Sequence, residues 1–161
     1  MVCSFSVLNL AHLNIRKMHV ETSKCGYMEQ KQRQPGTTLS SLKLAVGRSW
    51  GSDTSSDPVK WSASNPAYGQ CAVTALVIQD FFGGKLLRVE ASGPEGKVSH
   101  YYNQLRDGNV IDLTRKQFPA GTVFSEPETK DREYVLSYPA TAARYETLRE
   151  RVSLTLARRM G

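Results

Sequence analysis

The chain of 161 residues has few cysteines and no long apolar run. Its cysteines, Cys3, Cys25 and Cys71, are odd in number and far apart. They form no disulfide framework and favour a reducing, cytoplasmic location. No cysteine and histidine spacing matches a zinc site, and we expect neither a metal nor another cofactor. No stretch approaches the roughly 20 apolar residues of a membrane span, and the N-terminus lacks the features of a signal peptide.

An excess of basic residues gives the chain a formal net charge of +6. A basic protein can bind nucleic acid or an acidic partner. Here the positive charge is divided between the N-terminal segment and the last predicted helix, where Arg149 and Arg151 share the surface with Glu146 and Glu150. This mixture is typical of a solvated helix face, so nucleic acid is not the expected partner.

The chain divides into a polar N-terminal segment and one folded domain. Residues 1–37 are weakly periodic and end in Gln-Pro-Gly, which predicts a flexible extension before a domain at 38–161. Thr38 is a suitable N-cap for the first helix, and Gly83 a suitable stop for the second. The apolar pattern predicts helices over 39–50 and 70–82, strands over 85–90, 97–105, 110–113 and 133–136, and a helix over 141–159. This order predicts an α+β domain.

The Asp107-Gly108 pair predicts a tight two-residue turn between the second and third strands. In that register Asp112 faces Asn103. His100 then lies three residues further along its strand, roughly 10 Å away. A bulge or a longer turn would be needed to bring His100 and Asp112 together.

Cys71, His100 and Asp112 follow one another in the order of a Cys-His-Asp acyl-transfer site. Cys71 begins an apolar helix, where free backbone amides and a neighbouring imidazolium stabilise a thiolate. His100 is the one histidine of the predicted domain, and Asp112 would orient its ring. Each residue also has an ordinary interpretation, as a buried structural cysteine, a strand histidine and an aspartate that caps the turn at Leu113-Thr114.

An acyl-transfer site also needs two donors for the oxyanion of its intermediate. The backbone N–H of Cys71 at the helix start is one candidate. The side-chain amide of Asn65, six residues upstream, or of Gln70, next to the nucleophile, is the other. Of the two, Asn65 is favoured, because Gln70 fits better as a residue that points into the packing.

These residues resemble the papain-like and transglutaminase-like superfamily. Gly-Gln-Cys71 is similar to the nucleophile motif of transglutaminases, and the stretch from Ser99 to Thr114 resembles the strand-turn-strand that carries their His and Asp. The resemblance implies a compact papain-like α+β domain, in which the helix that begins with the nucleophile packs on a small antiparallel sheet. In papain-like enzymes an amide six positions before the cysteine serves the oxyanion hole, which matches Asn65.

A narrower resemblance, over about residues 39–158, is to the YunG-like family of small bacterial proteins. That family implies no particular activity. The matching segments include Gly69–Leu76, Gln79–Asp80, Gly83–Gly84, Ser99–Tyr101, Asp112–Thr114 and Gln117–Phe118.

The preferred interpretation is a monomeric cysteine hydrolase or acyltransferase that acts on an amide or ester of a small molecule, peptide or protein. It would use Cys71, His100 and Asp112 and pass through a thioester. The first alternative is a non-catalytic binding module on the same fold. The second is a protein that binds nucleic acid or an acidic partner through its arginine-rich last helix.

Overall fold

A computed structural model describes residues 36–94 and 96–158 of the chain. The described residues form an α+β arrangement of four α-helices and a five-stranded antiparallel sheet, as the order of elements predicts. Most of the predicted extension, 1–37, lies outside the described residues, and so do Cys3 and Cys25. Within the described part of the chain, no helix has the length and apolar character needed to span a membrane.

The three predicted helices begin and end within about two residues of the expected positions. Thr38 caps the first helix, because its hydroxyl accepts from the Ser41 backbone N–H while the Ser41 hydroxyl accepts from the Thr38 N–H. Gly83 ends the second helix with a positive φ of 66° that suits glycine. The four helices are α1 (Leu39–Ser49), α2 (Cys71–Phe82), α3 (Arg132–Leu136) and α4 (Pro139–Ala157). Two single turns of 3₁₀-helix lie at Ser52–Thr54 and Arg115–Gln117.

The sheet is built around one long hairpin. β1 and β2 pair along their full length, with Lys85 opposite Gln104 and Gly93 opposite Gly96. β3 extends the sheet beyond β2, while β4 and β5 pair with different parts of the other edge of β1. The strands are β1 (Lys85–Gly93), β2 (Gly96–Gln104), β3 (Val110–Ile111), β4 (Val123–Phe124) and β5 (Glu128–Lys130). β4 and β5 are too short to leave a period-two pattern and were not predicted.

Helix α2 is the centre of the core, as its apolar composition predicts. It packs against α4 and against β2, and α1 packs on α4. An apolar stripe of α4 is buried in the same cluster: Tyr145, Leu148, Val152 and Leu156. A helix buried on nearly every side has little freedom to shift, so its first residue is held in a defined place.

The predicted strand at 133–136 is wrong, because these residues form the short helix α3. Arg132, the first residue of α3, ties this segment to α2 and α4. Its guanidinium donates to Asp80 and to the Tyr145 hydroxyl. The single turn then buries Val135 and leaves Tyr134 exposed. An alternation of buried and exposed residues over so short a stretch fits a strand or one helical turn equally well.

The predicted turn between β2 and β3 is also wrong by one residue. The Leu105 N–H donates to the Asn109 carbonyl across a three-residue loop, in which Gly108 has a φ of 86°. Asn103 therefore pairs with Ile111 rather than with Asp112. The strand also ends at Ile111 instead of Leu113. A three-residue loop with glycine in the left-handed region is a common alternative to the two-residue turn.

Replacing Leu76 by alanine in α2 tests the central role of this helix. Leu76 is fully buried, so Leu76→Ala should lower the free energy of unfolding by about 2–5 kcal/mol. Leu154→Ala on α4 is the control, since Leu154 is half exposed and its truncation should change stability by less than about 0.5 kcal/mol. Urea denaturation followed by circular dichroism measures both. Similar losses in the two variants would contradict the placement of the core.

Candidate active site

The loop before α2 is shaped to deliver Cys71 to the first position of the helix. Gly69 has a φ of 70°, and a Cβ there would lie 2.4 Å from the Ser55 hydroxyl oxygen. The Ser56 N–H donates to the Gly69 carbonyl at 2.9 Å, and the Ser55 hydroxyl donates to the Tyr68 carbonyl at 2.8 Å. Glycine is therefore required at this position by both conformation and space. The Cys71 side chain, at the end of this braced loop, stays partly exposed.

His100 lies on β2 with no exposed surface, opposite Val89 of β1. Two aromatic rings enclose its imidazole edge-on, with centroid distances of 4.9 Å to Phe118 and 6.0 Å to Phe124. The Cys71 thiol makes a long contact, 3.9 Å, with the carbonyl of the neighbouring Ser99. The Cys71 side chain also acts on the imidazole of His100, whose pKa it helps to raise. The thiol and the imidazole thus lie near each other where the start of α2 approaches β2.

Asp112 follows β3 and hydrogen-bonds to His100, with 2.7 Å between Oδ2 and Nε2. The observed register explains this contact. Continued by one residue, it places Asp112 opposite Tyr102, two residues from His100 and so on the same face of the sheet. The other carboxylate oxygen accepts from the N–H and hydroxyl of Thr114 at 3.1 and 3.3 Å. Asp112 therefore caps the turn at Thr114 and contacts His100 at the same time.

The surroundings of His100 favour its protonated form. Burial on its own lowers the pKa of His100, since a charged ring loses its hydration. The hydrogen bond to Asp112, the neighbouring Cys71 side chain and the negative charges of both groups act in the opposite direction. Together they outweigh burial and raise the pKa of His100 to about 9. At neutral pH the site accordingly favours an imidazolium between two potential anions.

Gln117, in the 3₁₀ turn after Asp112, is a site residue that the sequence analysis missed. Its Oε1 accepts from the Gly69 N–H at 3.0 Å, and its Nε2 donates to the Thr114 carbonyl at 3.1 Å. Because one partner is a backbone donor and the other a backbone acceptor, they assign the positions of the oxygen and the nitrogen in the Gln117 side-chain amide. Nε2 then lies 3.4 Å from Nδ1 of His100. In the neutral ring Nε2 of His100 carries the proton donated to Asp112, which leaves the Nδ1 lone pair for Gln117 or the Cys71 thiol.

The side-chain amides of the two predicted oxyanion residues donate to backbone carbonyls in the structure. Asn65 donates from its side-chain amide to the Gln117 carbonyl at 3.3 Å. Gln70 is fully buried and donates to the Gly51 carbonyl at 2.8 Å. Both amides thus hold the loop that precedes Cys71. The residues brought together at His100 are Asp112 and Gln117, which contact its ring, and Cys71, which contacts the neighbouring Ser99 carbonyl.

Within residues 36–94 and 96–158, no group of three or more His, Cys, Asp or Glu side chains is arranged to hold a metal ion.

Comparison with known proteins identifies the family. The family model described as YunG protein matches residues 38–157. The chain belongs to the YunG family. It is 35% identical over 112 residues to a Bacillus subtilis (strain 168) protein described as uncharacterized protein YunG, a match that covers 70% of this chain and 89% of that one. No solved structure gives a significant match. The predicted family is confirmed, and the site residues described above lie inside the matched range.

The contact between Asp112 and His100 predicts a shift that nuclear magnetic resonance can measure. In the wild type, the imidazole resonances of His100 should titrate with a midpoint near pH 9. Asp112→Asn removes a negative charge that favours the protonated ring, so the midpoint should move to lower pH. Asp107→Asn is the control, because the Asp107 carboxylate on the same hairpin bonds to Asn109 instead. A midpoint that is the same in Asp112→Asn and in the wild type would contradict the described coupling.

Proposed function

We propose that this protein is a thiol-dependent hydrolase or acyltransferase on a papain-like, transglutaminase-like domain. Cys71 is the nucleophile, His100 the general base and acid, and Asp112 the residue that orients His100. The observation that supports this most is the 2.7 Å hydrogen bond between Asp112 and a fully buried imidazole, next to a partly exposed thiol at the first turn of a helix that contacts the neighbouring Ser99 carbonyl. Nucleophile, base and orienting group in such contact are the signature of covalent catalysis.

The first step forms a thioester. Transfer of the Cys71 thiol proton to Nδ1 of His100, the nitrogen that Asp112 leaves available, gives a thiolate beside the imidazolium that the site favours. The sulfur then attacks the carbonyl carbon of an amide or ester. The backbone N–H of Cys71 lies at the start of α2, has no partner within the helix, and can donate to the oxyanion. When the carbon–nitrogen or carbon–oxygen bond breaks, the leaving amine or alcohol receives the proton from His100.

The second step releases the acyl group. His100 removes a proton from water, for a hydrolase, or from an amine, for an acyltransferase. The resulting nucleophile attacks the thioester carbon, the carbon–sulfur bond breaks, and the proton returns to the sulfur. Asp112 stabilises the imidazolium that forms in each step, since its carboxylate lies 2.7 Å from Nε2.

The arrangement of the chain supports the papain-like placement. A nucleophile at the start of a buried helix is followed by a histidine on an adjoining strand and by an aspartate just after the next strand of the same antiparallel sheet. This is the order and layout that the resemblance to the papain-like superfamily implies. The hairpin loop of three residues, from Arg106 to Gly108, makes the His100–Asp112 contact compatible with that layout.

An ester probe tests the proposal directly. p-Nitrophenyl acetate should release p-nitrophenol and leave an acetyl group on Cys71, which mass spectrometry after proteolysis locates. His100→Gln should slow acetylation of Cys71 by about tenfold or more, because no base then removes the thiol proton. It should also slow the loss of the acetyl group to water. Cys3 and Cys25 in the same sample are internal references for the unactivated reaction.

Two results would contradict the proposal. One is acetylation of Cys71 no faster than that of Cys3 and Cys25. The other is acetylation of Cys71 at the same rate in a folded His100→Gln variant as in the wild type. Either would favour the alternative of a non-catalytic binding module. Circular dichroism of each variant shows that a slower reaction does not reflect unfolding.

A further inference from the structure

The outer edge of β2, on the side away from β1, is open beside the candidate nucleophile. On this side β2 pairs with β3 through Asn103 and Gln104, and no other strand of the described residues lies against it. Residues 96–99, the part of β2 nearer the β1–β2 turn, are all exposed. The Cys71 sulfur lies at the end of this exposed part, 3.9 Å from the Ser99 carbonyl oxygen. An unpaired strand edge therefore leads to the thiol.

The backbone groups of Ser99 point outward from this edge. Glu90, the partner of Ser99 on β1, uses both of its backbone groups on its far side, because its N–H donates to the Ser125 hydroxyl and its carbonyl accepts from the Ser125 N–H, both at 2.9 Å. Two opposed residues of an antiparallel pair either exchange their hydrogen bonds or both point away. Ser99 therefore points away from β1, and the alternation of the strand gives Lys97 the same direction.

The side chains of residues 97 and 98 leave this edge accessible. The Lys97 ammonium pairs with the Glu90 carboxylate at 2.7 Å, so it is engaged with a residue of β1 rather than free to cover the edge. Val98 is 52% exposed and forms an apolar row with Ala91 of β1 and Phe124 of β4. A further strand beside β2 would extend both the hydrogen-bonded ladder and this row.

We propose that the substrate of Cys71 is an extended polypeptide whose acyl part adds as a strand to the outer edge of β2. This inference rests on the proposed function and gives its substrate class: peptides or proteins with an exposed, extended segment that ends at the attacked carbonyl. The N–H and carbonyl groups of that segment pair with those of Lys97 and Ser99, and an apolar side chain lies next to Val98. Because the sulfur lies at the Ser99 carbonyl, a segment paired in this way brings its carbonyl end to the nucleophile.

A proline at position 97 tests the edge without changing a residue of the candidate triad. Proline lacks the N–H that Lys97 points outward, and its introduction removes no hydrogen bond between β1 and β2. The probe is acetyl-Val-Ala-Val-Ala chloromethyl ketone, which alkylates sulfur with loss of chloride. Chloroacetone is the reference, because it carries the same reactive group without a peptide.

The quantity measured is the ratio of the two alkylation rates at Cys71, resolved by peptide mass spectrometry. Lys97→Pro should lower this ratio about three- to tenfold, the effect of one lost hydrogen bond. Lys97→Ala is the matched control, because it removes the same side chain and its contact with Glu90 but keeps the backbone N–H. Its ratio should stay within about twofold of the wild type, since an exposed ion pair contributes little. Equal ratios in folded Lys97→Pro and Lys97→Ala would overturn the inference.

Methylation of the backbone of the probe gives an independent measurement on the wild-type protein. In a paired strand, alternate N–H groups point to the neighbouring strand and the others point away. A single N-methyl group moved along the probe should therefore lower the rate ratio at every second amide and leave it within about twofold at the amides between. Equal losses at neighbouring amides, or no loss at any amide, would contradict pairing on this edge.

A second copy of the chain is the other partner that an open strand edge can take. Analytical ultracentrifugation of the wild type should show a monomer, which leaves the edge to the substrate. A dimer that dissociates in Lys97→Pro but persists in Lys97→Ala would assign the edge to self-association and overturn the inference.

The outcome is separable from that of the proposed function. A failed triad would show as a Cys71 acetylation rate that does not depend on His100. A failed strand site would show as a reagent ratio that does not depend on the N–H of residue 97, whatever the acetylation result. The two results therefore distinguish an inactive site, an active site that does not bind an extended peptide on β2, and an active site that does.

Discussion

The burial of α2 is the constraint on which the rest of the structure depends. Because this helix is apolar on nearly every side, it is enclosed by the other helices and by the sheet. These contacts fix the position of the helix and the direction of its axis. Its N-terminus therefore points to a defined place beside β2. The loop before it turns sharply at Gly69 and ends where the helix begins. Cys71 is therefore the first residue of a helix that the core holds in place.

The second feature of the site is a balance of electrostatic effects around one buried ring. His100 has no exposed surface, which on its own would disfavour its charged form. Asp112 and Cys71 reverse that preference. Asp112 can do so because Thr114 holds its second oxygen, and the hydrogen bond to His100 therefore costs little further ordering of the carboxylate. Gln117 links this group to the loop before Cys71 through the Gly69 N–H, so the ring and the loop that carries the thiol are held as one unit.

Helix α4 contributes to both the core and the charged surface. One stripe of the helix closes the core around Leu148 and Val152, while Arg149 and Arg151 pair with acidic side chains at its surface. This mixture of charges is the pattern of a solvated face, and it accounts for much of the basic character of the helix. A single helix therefore carries both packing residues and surface ion pairs.

The sequence by itself determined the features that depend on near neighbours along the chain. These are the extents of α1, α2 and α4, the Thr38 cap, the glycine stop at Gly83, the β1–β2 hairpin, and the family, which follows from local motifs around Cys71, His100 and Asp112. The tertiary structure decided what depends on contacts between distant segments. It set a three-residue loop before β3, made 132–136 a helix in which Arg132 bonds to Asp80 and Tyr145, and directed the amides of Asn65 and Gln70 to the carbonyls of Gln117 and Gly51. It also brought Gln117 to the Gly69 N–H and to His100, because Gln117 lies far from both along the chain and only tertiary packing places them together.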